Sequence, residues 1–326
     1  MDWVIGIDVG GTNCVVGAVA ADGSRVVGDH SQPTGHTRGP GAVIADLIGM
    51  ARTAIAAARA ADPEATIIGV GAGAPGPLDI HRGIVLLTPN LGWSNLPLRR
   101  ELSAGIGLAT ALENDANCAV QAECWTGAAK RRRHVIGLTL GTGIGGGIVI
   151  DGKLYRGASD AAGEFGHIVI DIDGPVCGCG NRGCLEAFAS GRNIARRARE
   201  KLLAGAASRL RDMAHGDLEG ITAELVYTAA DAGDPVARQV ADDTAVYLGI
   251  GIANLLNIFN PDTVVVLGGV TEAGEALFGP LRREVAKRAF LPAVNACSII
   301  PGALHGLAGV VGAAKAFLDQ RAAGIV

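Results

Sequence analysis

Val4-Ile5-Gly6-Ile7-Asp8-Val9-Gly10-Gly11-Thr12, near the start of the chain, is answered by Val135-Ile136-Gly137-Leu138-Thr139-Leu140-Gly141-Thr142-Gly143 in its middle. Each run is an apolar strand signal rich in β-branched residues, and each stops at a glycine turn. Each then continues into a second apolar run (residues 14–20 and 147–150) and an Asp-Gly turn, Asp22-Gly23 and Asp151-Gly152. Two halves that open alike predict a duplicated fold, with the two glycine turns facing each other across a cleft. Chance similarity between two glycine-rich hairpins is the plainer alternative.

The segments around these runs alternate in character. Pro40–Ala61 reads as a helix stopped by Pro63, and residues 66–71 as a buried strand. Residues 194–203 and Pro235–Phe259 read as helices, and Thr263–Leu267 as an apolar strand ending at Gly268-Gly269. Residues 307–320 carry small side chains at helical spacing and should pack closely on a neighbour. Alternation of this kind predicts an α/β architecture.

At 326 residues, two domains are the natural expectation. With 49% hydrophobic and 18% charged residues, the composition is that of a well-buried globular protein. The 49 glycines stand out, and glycine serves where backbone turns sharply or approaches a ligand. A net charge of −4 provides no global field for nucleic acid or an anionic membrane. The basic run Lys130-Arg131-Arg132-Arg133-His134 has no aromatic companions and reads as a solvated loop. The opening Met1-Asp2-Trp3 has neither a basic nor an apolar leader region, and the glycine-rich stretch 135–150 is too short to span a membrane. A cytoplasmic protein without membrane or nucleic-acid partners is expected.

The turn Asp8-x-Gly10-Gly11-Thr12 can offer backbone N–H groups to phosphate oxygens, and Asp8 can hold a magnesium ion directly or through water. Gly141-Thr142-Gly143 can meet the same phosphates. Either alone is a plain hairpin turn; two in matching context carry more weight. Two further glycine patterns, at 141–146 and 71–76, match G-x-G-x-x-G. That fingerprint needs a helix directly afterwards. The first runs into a strand-like segment and the second into Pro75-Gly76-Pro77, so a dinucleotide-binding fold is not expected.

His167, Cys177, Cys179 and Cys184 follow one another with spacings x9, x1 and x4. Three thiolates and one imidazole complete a tetrahedral set for zinc, with no position open for a reacting water. A redox role is the rival reading. Glu164 and Glu186 flank the ligands, so a metal pinning both segments would fix two carboxylates, good acceptors for sugar hydroxyls. As surface acids they would need no such role. Glu113-Asn114-Asp115 follows the apolar residues 108–112. Polar residues at the end of a buried strand often reach into a cleft, which makes Asp115 a candidate general base and Asn114 a candidate sugar contact. A helix N-cap is the ordinary alternative.

Taken together, the stretches at 140–147, 163–167 and 177–186 resemble the ROK family of sugar kinases and regulators, and within it the bacterial glucokinases. The resemblance runs from Ile5 to about Gly312. It implies an actin-like, hexokinase-like, duplicated ribonuclease-H-like α/β fold of two lobes with an interlobe cleft. The implied limits are 1–118 plus 304–326 for the small domain and 119–303 for the large, zinc-bearing one. It also implies ATP with Mg2+, a structural Zn2+, Asp115 as catalytic base, and Asn90, Asn114, Glu164, His167 and Glu186 around the sugar. Gly11, Thr12, Thr142 and Gly143 would lie near the phosphates and Gly268-Gly269 near the adenosine. In many relatives the position of Asn13 is lysine, so no positive charge stands there in this chain. The expected reaction is phosphorylation of a hexose, D-glucose first, with fructose, allose, mannose or N-acetylmannosamine as alternatives. A non-catalytic sugar sensor is the alternative outside enzymes, disfavoured by Asp115 and both phosphate turns. A homodimer or homotetramer is expected by resemblance alone. The family's sugar-sensing repressors need a DNA-binding helical module ahead of the first strand, which here begins by about Val4.

Overall fold

The computed structural model describes residues 1–88 and 90–326. β1 (Asp2–Val9) turns through Gly10-Gly11-Thr12 into antiparallel β2 (Asn13–Ala20), and β3 (Val26–Pro33) extends the hairpin. α1 (Pro40–Ala61) opens on a proline, whose missing N–H is harmless at a first helical position. β4 (Thr66–Ala74) follows, parallel to β1. A small antiparallel trio comes next: β5 (Leu78–Asp79), β6 (Ile84–Thr88) and β7 (Trp93–Leu96). α2 (Leu98–Ile106) leads to β8 (Thr110–Asn114), parallel to β4, and β8 runs straight into α3 (Asp115–Trp125).

The second half repeats the opening with β9 (Val135–Leu140), β10 (Ile144–Ile150) and β11 (Lys153–Leu154). A helical stretch follows: α4 (Leu185–Ala189), α5 (Gly191–Leu203), α6 (Leu210–Met213), α7 (Ala223–Asp231) and α8 (Pro235–Phe259). β12 (Thr263–Leu267) pairs in parallel with β9. α9 (Glu275–Ala286), α10 (Leu291–Ala296), β13 (Ser298–Pro301, parallel to β12) and α11 (Ala308–Ala322) complete the chain. The strand orders are β3-β2-β1-β4-β8 and β11-β10-β9-β12-β13, which correspond position by position. The duplication read from the two glycine-turn runs is present in the topology.

Two compact units result: residues Met1–Arg131, Gly147–Gly163 and Ala303–Val326 form one, and Arg132–Gly146 with Glu164–Gly302 the other. The division differs from the expected one, because residues 119–131 and 147–163 lie with the first unit. α3 is the reason. At Gly312 of α11 a side chain would collide with the Cys118 carbonyl, and at Gly147 it would press on Asn117 and Val120. Such close approach holds α3, α11 and the strand at Gly147 together.

Period-two alternation in β1 decides which helix covers which face. Trp3, Ile5, Ile7 and Val9 join one buried cluster with Val43, Leu47 and Met50 of α1. The intervening Gly6 and Asp8 instead meet α11, at Val310 and Gly309. On β4, Gly69 and Gly71 lie under Phe317 and Ala313. The close packing anticipated for residues 307–320 is therefore helix on sheet, with glycine and alanine making room. α1 is long and apolar enough to cross a membrane, with a mean hydropathy of 1.5 in its most apolar window. It carries Asp46 and Arg52 and packs on β2 and β3, as a core helix does. The stretch at 135–150 is β9 and β10.

Candidate active site and metal cluster

In the first unit the predicted residues sit at the ends of β1 and β8. Asp8 is the last polar residue of β1, half-buried, while Gly11 and Thr12 are exposed. The turn is fixed by Gly10 N–H donating to Asn13 O at 3.0 Å and by Thr34 Oγ1 donating to Gly10 O at 2.7 Å. Asn90 is exposed, and its Cβ lies 3.9 Å from where a Cβ on Gly11 would stand. Asn114 ends β8 and caps α3, its Oδ1 accepting from Asn117 N at 3.1 Å. The capping reading of Asn114 thus holds, and the cap places Asp115 in the first turn of α3. There the helix dipole favours an anionic side chain. Asp115 Oδ1 accepts from Ala116 N at 2.8 Å.

Asp8 and Asp115 feel one another. Burial, and then the Asp115 carboxylate, lift the Asp8 carboxyl to about 7. Two acids from distant parts of the chain are thereby assembled beside a glycine turn, an arrangement suited to a cation and to proton transfer. Sequence reading missed two contributors. A side chain at Gly309 would collide with the Asp8 carboxylate, so only glycine lets α11 sit there. Glu113, 1% exposed, receives Arg156. The small residues at 307–320 signalled the first; nothing in the sequence paired Glu113 with Arg156.

In the second unit Gly141-Thr142-Gly143 joins β9 to β10. Gly141 N donates to Gly143 O at 3.0 Å, and Gly191 N donates to Gly141 O at 2.9 Å. Gly268, with φ 100°, follows β12 and presses on the Leu140 carbonyl, which brings the Gly268-Gly269 turn beside the end of β9. β10 follows 141–146 and β4 contains Gly71 and Gly73, so neither G-x-G-x-x-G match opens a helix.

The four predicted metal ligands converge. The ligand atoms of His167, Cys177, Cys179 and Cys184 all lie within 4.8 Å of one another. Cys179 and Cys184 Sγ are 3.8 Å apart, and Cys177 Sγ is 3.7 Å from His167 Nδ1. Four ligands about 2.0–2.3 Å from a tetrahedral zinc stand roughly 3.5–3.8 Å apart, so the set fits that ion. The sulfurs are too distant for a disulfide, whose S–S bond is about 2.05 Å. A short hairpin carries the cluster: Cys177 N donates to Asn181 O at 2.7 Å, Ile170 N to Gly183 O at 2.8 Å and Leu185 N to Ile168 O at 2.9 Å.

Both flanking carboxylates stand against the cluster. Glu164 Oε2 lies 4.0 Å from His167 Nε2, the ring nitrogen turned away from Cys177. Glu186 Oε1 lies 3.9 Å from Cys177 Sγ, while its Oε2 accepts from Ile144 N at 2.8 Å. Glu186 therefore also touches the glycine turn.

Two α/β units on sheets of one repeated order, with glycine turns at the strand ends, define the actin-like, hexokinase-like class of proteins. Within that class the chain belongs to the ROK family, whose model matches residues 4–320. It is 38% identical over 318 residues to a glucokinase of Thermotoga maritima, a match covering 97% of this chain and 98% of the other. A ROK family glucokinase from Streptomyces griseus, solved in complex with glucose and AMPPNP, is similar with a TM-score of 0.82 at 36% identity, covering 96% and 98% of the two chains. A xylose repressor of Caldicellulosiruptor bescii is 38% identical over 225 residues, 69% of this chain and 56% of the repressor.

Proposed function

We propose that this chain is a hexose kinase that transfers the γ-phosphoryl group of ATP to D-glucose, giving glucose 6-phosphate. The observation that carries the reading is the pairing of Asp8 and Asp115 beside the 10–12 glycine turn, in a chain matched end to end by glucokinases.

Asp115 accepts the proton of the sugar 6-hydroxyl as its oxygen attacks the γ-phosphorus. Asn90, Asn114, Glu164, His167 and Glu186 hold the other hydroxyls. His167 can give Nδ1 to the metal and Nε2 to the sugar. The 10–12 and 141–143 turns offer N–H groups to phosphate oxygens, so catalysis rests on positioning and electrostatics. Gly268-Gly269 lies toward the adenosine. Asp8 would hold Mg2+, which supplies charge neutralisation for the phosphoryl oxygens. The cluster of His167 with Cys177, Cys179 and Cys184 would hold a structural zinc.

The test is phosphorylation of glucose, mannose, fructose, allose and N-acetylmannosamine with ATP and magnesium, read as ADP release. Glucose is expected to lead, and Asp115→Asn to lower kcat at least ~10²-fold with the fold intact. A different preferred hexose would change the substrate and leave the mechanism. Absence of turnover from folded, zinc-loaded protein would overturn the kinase reading.

A further inference from the structure

We propose that Glu113 and Arg156 form a buried clamp that positions the general base Asp115, an inference that rests on the kinase reading above. Glu113 is the penultimate residue of β8, two positions before Asp115, and its side chain is 2% exposed. The Arg156 Nε and Nη2 both lie 2.7 Å from Glu113 Oε2. The other oxygen, Oε1, accepts from Asn114 N and from Asn117 Nδ2, each at 3.1 Å. One carboxylate thus ties a guanidinium, the backbone of the β8–α3 junction and the first turn of α3, with Asp115 held between the last two.

Economy of stability does not explain this arrangement. An apolar residue at the end of a buried strand avoids the desolvation of two charges, and replacing a buried ion pair by apolar groups is often neutral or stabilising. Charge retained beside the reacting carboxylate therefore points to a role in placing it. Electrostatics agrees. The fully buried Cys118 thiol is pushed up by burial and by Glu113, Asp8 and Asp115, and pulled down by Arg156, so these four charges act on one neighbourhood.

Arg156 also carries the pull along the chain. Its carbonyl accepts from Ala162 N at 3.0 Å, closing the 156–162 loop, and Asp160 Oδ2 in that loop accepts from Ile80 N at 3.4 Å. The sequence then runs directly into Gly163-Glu164, the segment read as sugar-binding. The clamp is thus a positioning device that sets the base from one buried pair.

The test compares wild type with Glu113→Gln/Arg156→Met, which removes both charges while glutamine can still accept from Asn114 N and Asn117 Nδ2. Arg156→Lys serves as the conservative variant. The double variant is expected to melt within a few degrees of wild type and to bind glucose in calorimetry with Kd changed less than about threefold. Its kcat per folded molecule should fall at least ~10-fold, since ångström-scale misplacement of a reacting group costs up to ~10²-fold. Arg156→Lys, keeping the charge without the fork, should recover part of that loss. A stable double variant with wild-type kcat would overturn the clamp alone. An inactive wild type would overturn the kinase reading and the clamp with it.

Discussion

Glu186 accepts a hydrogen bond from the Ile144 N–H at 2.8 Å, joining two motifs 42 residues apart in the chain. A Cβ on Gly143 would run into the same Glu186 Oε2. The carboxylate and the missing side chain are therefore two halves of one fit at the 141–143 turn.

A double-mutant cycle tests that fit. Gly143→Ala should displace Glu186 and orphan the Ile144 N–H, a loss of roughly 1–3 kcal/mol for a buried donor. The expected sign is a KM for ATP raised about tenfold. Glu186→Ala should raise it similarly. In the Glu186→Ala background the alanine at 143 has room, so the second substitution should add less than ~0.5 kcal/mol. Full additivity would show that the turn does not depend on this contact.

The candidate zinc cluster of His167, Cys177, Cys179 and Cys184 carries a prediction through its protons. Burial pushes the Cys184 thiol up to about 12, and burial also raises Cys177, whereas the Asn181 N–H leads the effects that lower Cys179. Metal-free protein near neutral pH then carries mostly protonated thiols, and a metal must displace those protons. Zinc uptake is expected to release roughly two to three protons per chain and to tighten as pH rises. Calorimetry in buffers of different ionisation enthalpy measures the release. Chelation and Cys184→Ser should each lower Tm by several degrees, and chelation should add nothing to the mutation. Zinc binding without proton release would contradict the thiol assignments.

How legible the site was depended on the range of the contact involved. β1 and β9 announced themselves because strands buried on both faces are continuous apolar runs. α8 did so because Asp234-Pro235 starts it and Asn260, at φ 45° before Pro261, stops it. The convergence of His167, Cys177, Cys179 and Cys184 was readable because short spacings leave few geometries. β3, with Gly28, Asp29, His30 and Ser31, was not, because an edge strand of alternating exposure needs no apolar run. The contacts Asp8–Gly309, Glu113–Arg156 and Glu186–Ile144 were also hidden. Each joins residues brought together only by the finished topology, and no local spacing encodes which glycine lies under which carboxylate. Asn114-Asp115 is the mixed case: sequence offered a sugar contact or a helix cap, and Asn114 visibly serves the cap.

Asp8 couples the fold to pH. Its folded value of about 7 lies above the 3.8 of an unhindered aspartate, because burial and then the Asp115 carboxylate disfavour its charge. The folded chain therefore binds this proton more tightly than the unfolded chain does. Stability from this group declines as pH rises from about 4 to about 7, and above that the fold carries the full cost of an ionised Asp8, roughly 2–4 kcal/mol. Asp8→Asn removes the charge and keeps the shape beside Gly309. Urea melts should find the variant close to wild type at pH 4 and more stable at pH 8, with turnover lost as the proposed cation-holding role of Asp8 requires. Magnesium with nucleotide should restore part of the wild-type stability at pH 8 and leave the variant unmoved, since a ligand stabilises only the state that binds it. A variant no more stable than wild type at pH 8 would mean that Asp8 is already ionised at little cost, and the case for it as a poised cation site would fall with that result.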